Sequence, residues 1–159
     1  MQEFLEILEQ QVDGYKKLLK IAEEKQIILI GNDINQLDQL NKNEQKLLLQ
    51  LTKLENHRLQ IVQNLEGQFG NPGVTRSLKE IAESAPEPYQ SPLNKIYKEL
   101  NELVAKLDKV NQENAGLIQQ ALKYVNFAMD TFAKDEREVT YSPGEQTPKN
   151  EGRIFDQKA

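Results

Sequence analysis

Apolar residues recur at alternating steps of three and four along most of the chain, which is the spacing of one face of an α-helix. A first run extends from Leu5 to Leu29, and a second, rich in leucine, fills residues 34–66. The third and most regular run extends from Leu93 to Ala128, with one polar interruption at Asn114. The pattern predicts three long helices, at residues 2–30, 34–66 and 92–133.

Short-range signals place the ends of these helices. Gly31 and Asn32 tolerate the left-handed conformation of a helix end. Asp33 can cap the next helix, and Gln36 three residues later completes a variant of the capping box. Ser91 and Pro92 are the types expected at the N-cap and first position of the third helix. The short connection at Gly31 favours an αα-hairpin, and a single bent helix is the alternative.

A third helix of this length would extend about 60 Å, and its apolar stripe needs a partner. The hairpin is nearly long enough to cover it. We therefore expect an all-α fold, an antiparallel three-helix bundle. Its domain is residues 1–133, with the hairpin at 2–66, a linker at 67–91 that holds a short helix around 75–83, and the long helix at 92–133.

After Phe132 the sequence becomes charged and rich in turn-forming residues, so residues 134–159 are predicted to be a flexible tail. Tyr141, Ile154 and Phe155 are isolated apolar residues within it. Such a composition is typical of segments that order on binding. We expect these three side chains to contact a partner.

Composition narrows the classes of function. The chain of 159 residues is 38% hydrophobic and 6% aromatic, has no Trp, and carries a formal net charge of -5. An acidic chain is poorly suited to nucleic acid, which needs a basic face. The longest apolar run, Ile27 to Ile30, is too short to cross a bilayer. We expect a cytoplasmic protein without nucleic-acid binding or membrane insertion.

The residues needed for catalysis are missing from the sequence. Without cysteine there is no thiol nucleophile or zinc–thiolate site. His57 is the single histidine, and Leu54 stands where a Glu-x-x-His metal motif needs its carboxylate. Gly67, Gly70 and Gly73 lack the Lys and Ser or Thr of a phosphate-binding loop. We predict no catalytic, cofactor or metal site, and no enzyme.

Each long helix has a line of apolar residues along one side, which we call its seam. Polar residues within the seams and apolar residues next to them are the more informative positions. Glu44, Arg58 and Asn114 interrupt the seams, either as buried side chains that fix alignment or as edge residues that reach water. Additional apolar residues widen the stripes past a two-helix contact. A three-helix core would bury many of them, and those left exposed would bind an amphipathic helix. The predicted partner-binding residues are Leu117, Ile118, Leu122, Val125, Tyr141, Ile154 and Phe155.

Several segments, taken in order, resemble the FlgN-like flagellar export chaperones. They are Leu18-Leu19-Lys20-Ile21-Ala22, Ile30-Gly31-Asn32-Asp33, the Leu-rich second helix, the stretch from Glu113 to Val125, Thr140-Tyr141-Ser142-Pro143-Gly144, and the end from Arg153 to Ala159. The likeness covers most of the chain. Ser142-Pro143 inside the tail motif and residues 71–90 depart from the family pattern.

The resemblance implies a cytoplasmic chaperone of flagellar type III secretion. Its expected partners are hook-associated proteins, which it keeps from assembling early, and the cytoplasmic domain of the export gate, to which it delivers them. By resemblance, Tyr141 contacts the client or the gate. A structural coiled coil that homodimerises through its long helices, with no client, is the alternative. Oligomeric state separates the two.

Overall fold

The computed structural model describes residues 1–68 and 76–140. Four helices account for most of them: α1 is Gln2–Gly31, α2 is Ile34–Gln68, α3 is Leu78–Ser84 and α4 is Gln90–Thr140. No strand occurs in the described residues, and the all-α expectation is confirmed there. By its contacts the chain divides into two units, Met1–Gln119 and Gln120–Ala159.

The turn between α1 and α2 follows the predicted residues closely. Asn32 adopts the left-handed conformation, with φ 59° and ψ 34°, and its backbone N–H donates to the Ile28 carbonyl. The Asp33 carboxylate accepts from the Gln36 backbone N–H at 3.2 Å. The reciprocal bond of a capping box does not form, because the Asp33 N–H donates to Ile28 instead. One of the two hydrogen bonds of the predicted capping box is therefore present.

Helices α1 and α2 lie side by side in opposite directions. Glu3 is paired with His57, and further along α1 the Lys25 ammonium is paired with Glu44. As residue numbers rise in α1 they fall in α2, which is the arrangement of a hairpin rather than of one bent helix. Gly14 permits the close approach, since a Cβ there would lie 2.5 Å from a terminal carbon of Leu51.

The first part of α4 contacts α1 in the same unit, and the two helices run parallel to each other. Lys16 pairs with Glu99 at 2.7 Å, and Gln26 donates to Glu113 at 2.8 Å. Two apolar clusters join these helices to α2. The larger cluster holds the largest fully buried side chains, which are Phe4, Leu8, Val62 and Leu93. The smaller cluster consists of Leu18, Ala22, Leu51 and Leu107.

The short helix α3 starts at a complete capping box. The Ser77 hydroxyl accepts from the Glu80 backbone N–H at 3.3 Å, and the Glu80 carboxylate accepts from the Ser77 N–H at 2.7 Å. This carboxylate's pKa is lowered, first by that backbone bond. The predicted helix around residues 75–83 is thus present from Leu78 to Ser84.

Both ends of α4 differ from the prediction. The helix begins at Gln90, so Ser91 is not its N-cap; the Tyr89 carbonyl accepts the first helical bond, from Leu93. Pro92 is tolerated in this first turn because N–H groups there have no intrahelical partner. At the other end α4 continues to Thr140 rather than stopping at residue 133. Lys134 to Arg137 are helix-compatible, and no Gly or Pro follows until Pro143.

Residues 120–140 form the described part of the second unit, a single helical segment with a largely exposed surface. Tyr124 and Ala121 belong to the apolar run from Leu93 to Ala128 that was expected to be covered, but Tyr124 is 75% exposed and Ala121 is exposed as well. The expectation that the hairpin nearly covers the long helix is therefore wrong. The reason is length, because α1 has 30 residues and α4 has 51.

Candidate partner-binding surface on the long helix

The predicted binding residues fall into three groups. Leu117 is half-buried and Ile118 is 41% exposed at the end of the first unit. Leu122 and Val125 lie in the second unit, where they are 57% and 50% exposed. The tail residues of the prediction, Tyr141, Ile154 and Phe155, lie outside the described residues.

Leu122 and Val125 belong to a longer apolar face within the second unit. Met129 and Phe132 continue it at steps of four and three, and they are 65% and 71% exposed. These four side chains occupy the a and d positions of a heptad pattern, so they share one side of the helix. Sequence reasoning missed Met129 and Phe132 as binding residues, although the same spacing that predicted the helix contains them.

Two aromatic residues widen the apolar surface of this segment. Tyr124 and Phe127 are 75% and 71% exposed on the other side of the helix. Lys123, Asn126 and Asp130 form a polar stripe along the helix. At 3.6 residues per turn, apolar side chains occupy roughly two-thirds of the remaining circumference. A helix that is apolar over most of its surface is typically a buried one. Residues 122–132 thus have the composition of an interface.

Asn114 is one of the polar seam residues and is buried in the first unit. It is 3% exposed, and its amide donates to the Ala22 carbonyl of α1 at 2.9 Å. The Asn114 amide oxygen is buried and has no hydrogen-bond partner among the described residues. Of the two interpretations, burial is correct, and the side chain links α4 to α1.

Glu44 is also largely buried. Its carboxylate pairs with the Lys25 ammonium at 2.6 Å, and the two side chains are 19% and 14% exposed. The pair joins α1 to α2. Removing both charges from water is costly, and their mutual attraction offsets that cost only when the geometry is good.

Arg58, the third seam residue, belongs to a network that the sequence did not reveal. Its guanidinium donates to both Glu55 carboxylate oxygens, at 2.8 and 2.7 Å. The same carboxylate accepts from Gln11 of α1 at 2.9 Å. The Arg58 bonds lower the pKa of Glu55, and Glu55 in turn raises the pKa of Arg58. The sequence could have indicated that Gln11 is buried, because it follows Leu8 by three residues and therefore lies on the same, core-facing side of α1.

Glu44 and Arg58 are thus paired with charged side chains, and Asn114 is bonded to a backbone carbonyl. His57 is half exposed and lies 3.3 Å from Glu3 on the hairpin surface. Within residues 1–68 and 76–140, no group of three or more His, Asp or Glu side chains is placed to hold a metal ion. In the same part of the chain, no helix is long and apolar enough to span a membrane. The described residues define an all-helical protein with an exposed apolar series on α4.

Comparison with known proteins gives the family. The model of the family described as FlgN protein matches residues 1–149. The chain therefore belongs to the FlgN family of flagellar chaperones, as the resemblance indicated. It is also 26% identical over 148 residues to a Bacillus subtilis (strain 168) protein named "Uncharacterized protein YvyG", covering 91% of this chain and 90% of that protein. No solved structure matches the chain.

Proposed function

We propose that the chain is a cytoplasmic export chaperone of the flagellar type III system. It binds hook-associated proteins, prevents their premature assembly and delivers them to the export gate. Membership of the FlgN family supports a role in flagellum assembly through binding of flagellar proteins. The observation that carries the binding face is the exposed series Leu122, Val125, Met129 and Phe132. A three-helix bundle of α1, α2 and α4 is the proposed scaffold.

The mechanism follows from the exposed apolar face. A polymerising helix of the client has its own apolar stripe, and laying that stripe on α4 would remove both from water. Leu117 and Ile118, in the first unit, are also proposed to contact the client. While bound, the client cannot use its stripe for assembly. Tyr141, Ile154 and Phe155 are proposed to add contacts to the client or to the gate's cytoplasmic domain.

A binding measurement tests the client face directly. Calorimetry with a purified hook-associated protein of the same bacterium would compare the native chain with Leu122→Ser combined with Val125→Ser. Two half-exposed side chains that become buried on binding are together worth about 2 kcal/mol, or about 30-fold in affinity. Asn126→Ser, on the polar stripe, is the matched control and should bind normally. Equal affinity of all three proteins would exclude this face as the client site.

The tail is tested by truncation after Thr140, where α4 ends. Helicity and melting temperature should stay the same, while capture of the client or the gate's cytoplasmic domain weakens. If the truncated chain captures both as well as the native chain, the tail has no part in binding. Light scattering of the native chain, alone and with client, separates the chaperone from a client-free structural coiled coil, which would be a constitutive dimer.

A further inference from the structure

A cavity of about 540 Å³ in the first unit is lined by residues of all four helices. This volume lies within the range of small-ligand sites, about 300 to 1,000 Å³. Leu78, Leu100 and Val104 supply apolar lining, and Val104 is 47% exposed. Gln11 of α1 also lines the cavity and is only 5% exposed. The cavity therefore combines apolar walls with a buried polar side chain.

The Gln11 carboxamide has a hydrogen-bond acceptor without a partner. Its NH2 group donates to the Glu55 carboxylate at 2.9 Å. A carboxylate only accepts, so the Gln11 amide oxygen is turned away from Glu55. That oxygen has no partner among the described residues, and it is not sealed from solvent as the Asn114 oxygen is. Because Gln11 is nearly buried and lines the cavity, a ligand reaches this oxygen through the cavity.

Unused donors lie close to this acceptor. Gln11 and Arg58 both donate to the same Glu55 oxygen, Oε2, so the two side chains are adjacent. Arg58 uses two of its five N–H groups on Glu55, and the other three have no partner within residues 1–68 and 76–140. The Tyr15 hydroxyl also makes no hydrogen bond in that part of the chain. Glu55 is the main cause that raises the pKa of Arg58, and the nearby Tyr15 adds to it.

The charges around the cavity favour a neutral ligand. Glu55 and Glu80 oppose Arg58 and Arg76, so the four charged lining residues sum to zero. A charged ligand would gain no net attraction there, and removing its charge from water costs free energy. A primary carboxamide is neutral and carries both a donor and an acceptor. Its NH2 group matches the Gln11 oxygen, and its carbonyl oxygen matches the unused donors.

We propose that this cavity binds a carboxamide side chain, Gln or Asn, of a peptide partner. Gln11 accepts from the bound NH2 group, while Arg58 and Tyr15 donate to the bound carbonyl. Apolar residues beside the carboxamide in the partner pack on Leu100 and Val104. The carboxamide replaces the hydrogen bonds that water makes to these groups in the free protein, so displacing that water loses little affinity. The site goes beyond the proposed function and does not rest on it.

NMR titration of the ¹⁵N-labelled full chain tests the site with three peptides. The probes are acetylated and amidated Leu-Gln-Leu, Leu-Glu-Leu and Leu-Met-Leu, which differ only in the central side chain. The Gln peptide should shift the signals of the Gln11 side-chain amide and the Arg58 Nε–H in a saturable way. The Glu and Met peptides should bind about tenfold more weakly, because each leaves the Gln11 oxygen without a donor.

Two cavity variants separate hydrogen bonding from packing. Tyr15→Phe removes one hydroxyl and should weaken binding of the Gln peptide about fivefold, while binding of the Met peptide stays the same. Val104→Trp should fill the cavity and abolish binding of the Gln peptide. Ala105→Trp is the matched control, because Ala105 is exposed and does not line the cavity.

Several outcomes would overturn the proposed carboxamide site. The Glu or Met peptide could bind as well as the Gln peptide, or no peptide could give saturable shifts. Either cavity variant could leave binding of the Gln peptide unchanged, or Ala105→Trp could weaken it as much as Val104→Trp. No flagellar protein is used, so each outcome is independent of the proposed function.

Discussion

Replacing Asn114 by Leu should stabilise the protein. The native amide makes one hydrogen bond, to Ala22, and leaves its buried oxygen without a partner. Losing the bond costs about 1 kcal/mol, whereas removing the unsatisfied oxygen regains about 1 to 3 kcal/mol. The Ala22 carbonyl is not left unsatisfied, because within α1 it still faces the Gln26 N–H one turn on.

Packing decides how much of this gain survives. Leu adds apolar contacts worth about 1.5 kcal/mol or more, but a larger side chain in a full site costs about 1 to 3 kcal/mol. The net expectation is about 1 kcal/mol of added stability, which for a chain of this size raises the melting temperature by about 2 to 4 °C.

Thermal unfolding followed by circular dichroism would measure the change at Asn114. Asn114→Asp is the matched control, since it keeps the shape, loses the donor and buries a carboxylate. It should lower the melting temperature well below that of the native chain. If Asn114→Leu also unfolds at a lower temperature, the bond to Ala22 is worth more than the unsatisfied oxygen costs, and the reasoning fails.

Three further substitutions give expected signs by the same measurement. Lys25→Met alone strands a largely buried carboxylate and should destabilise by about 3 kcal/mol, whereas adding Glu44→Leu should recover most of the loss; a double variant as unstable as the single one contradicts this. Gly14→Ala gains about 1 kcal/mol of helix propensity, but the added Cβ overlaps Leu51, so we expect a net loss of stability of about 1 kcal/mol. In a double-mutant cycle with Leu51→Ala, the loss caused by Gly14→Ala should be smaller. Gly116→Ala meets no neighbour within 4 Å and should stabilise α4 by about 1 kcal/mol, so a lower melting temperature would reveal a contact there.

The helices and the first turn were predictable because their signals are local. Asn32 and Asp33 act through their own backbone and the adjacent turns, and both behave as their residue types indicate. The end of α4 was not predictable by the same means. Lys134 to Arg137 have the charge of a solvated tail but also the propensity to form a helix. Only the helix propensity determines the backbone conformation.

Side-chain partners were harder to predict, since they depend on which helix faces which. The seam pattern identified Glu44, Arg58 and Asn114 as interruptions but could not supply Lys25, Glu55 or the Ala22 carbonyl as their partners. Gln11 was missed because a polar residue within an amphipathic run is usually solvent-facing. Its place beside Glu55 exists only after α1 and α2 have aligned.

The exposed surface of α4 follows from a mismatch that spacing alone does not show. Apolar residues at the same spacing occur on both sides of Gln119, buried at Leu103 and Leu107 and exposed at Leu122 and Val125. Periodicity indicates that a helix has an apolar face. The lengths of the helices determine whether the rest of the chain can cover that face. A helix of 51 residues beside one of 30 leaves 21 residues, or about 30 Å, without that neighbour. Exposed apolar area on this scale is uncommon on proteins that act alone, so the uncovered length of α4 is itself the reason to expect a binding partner.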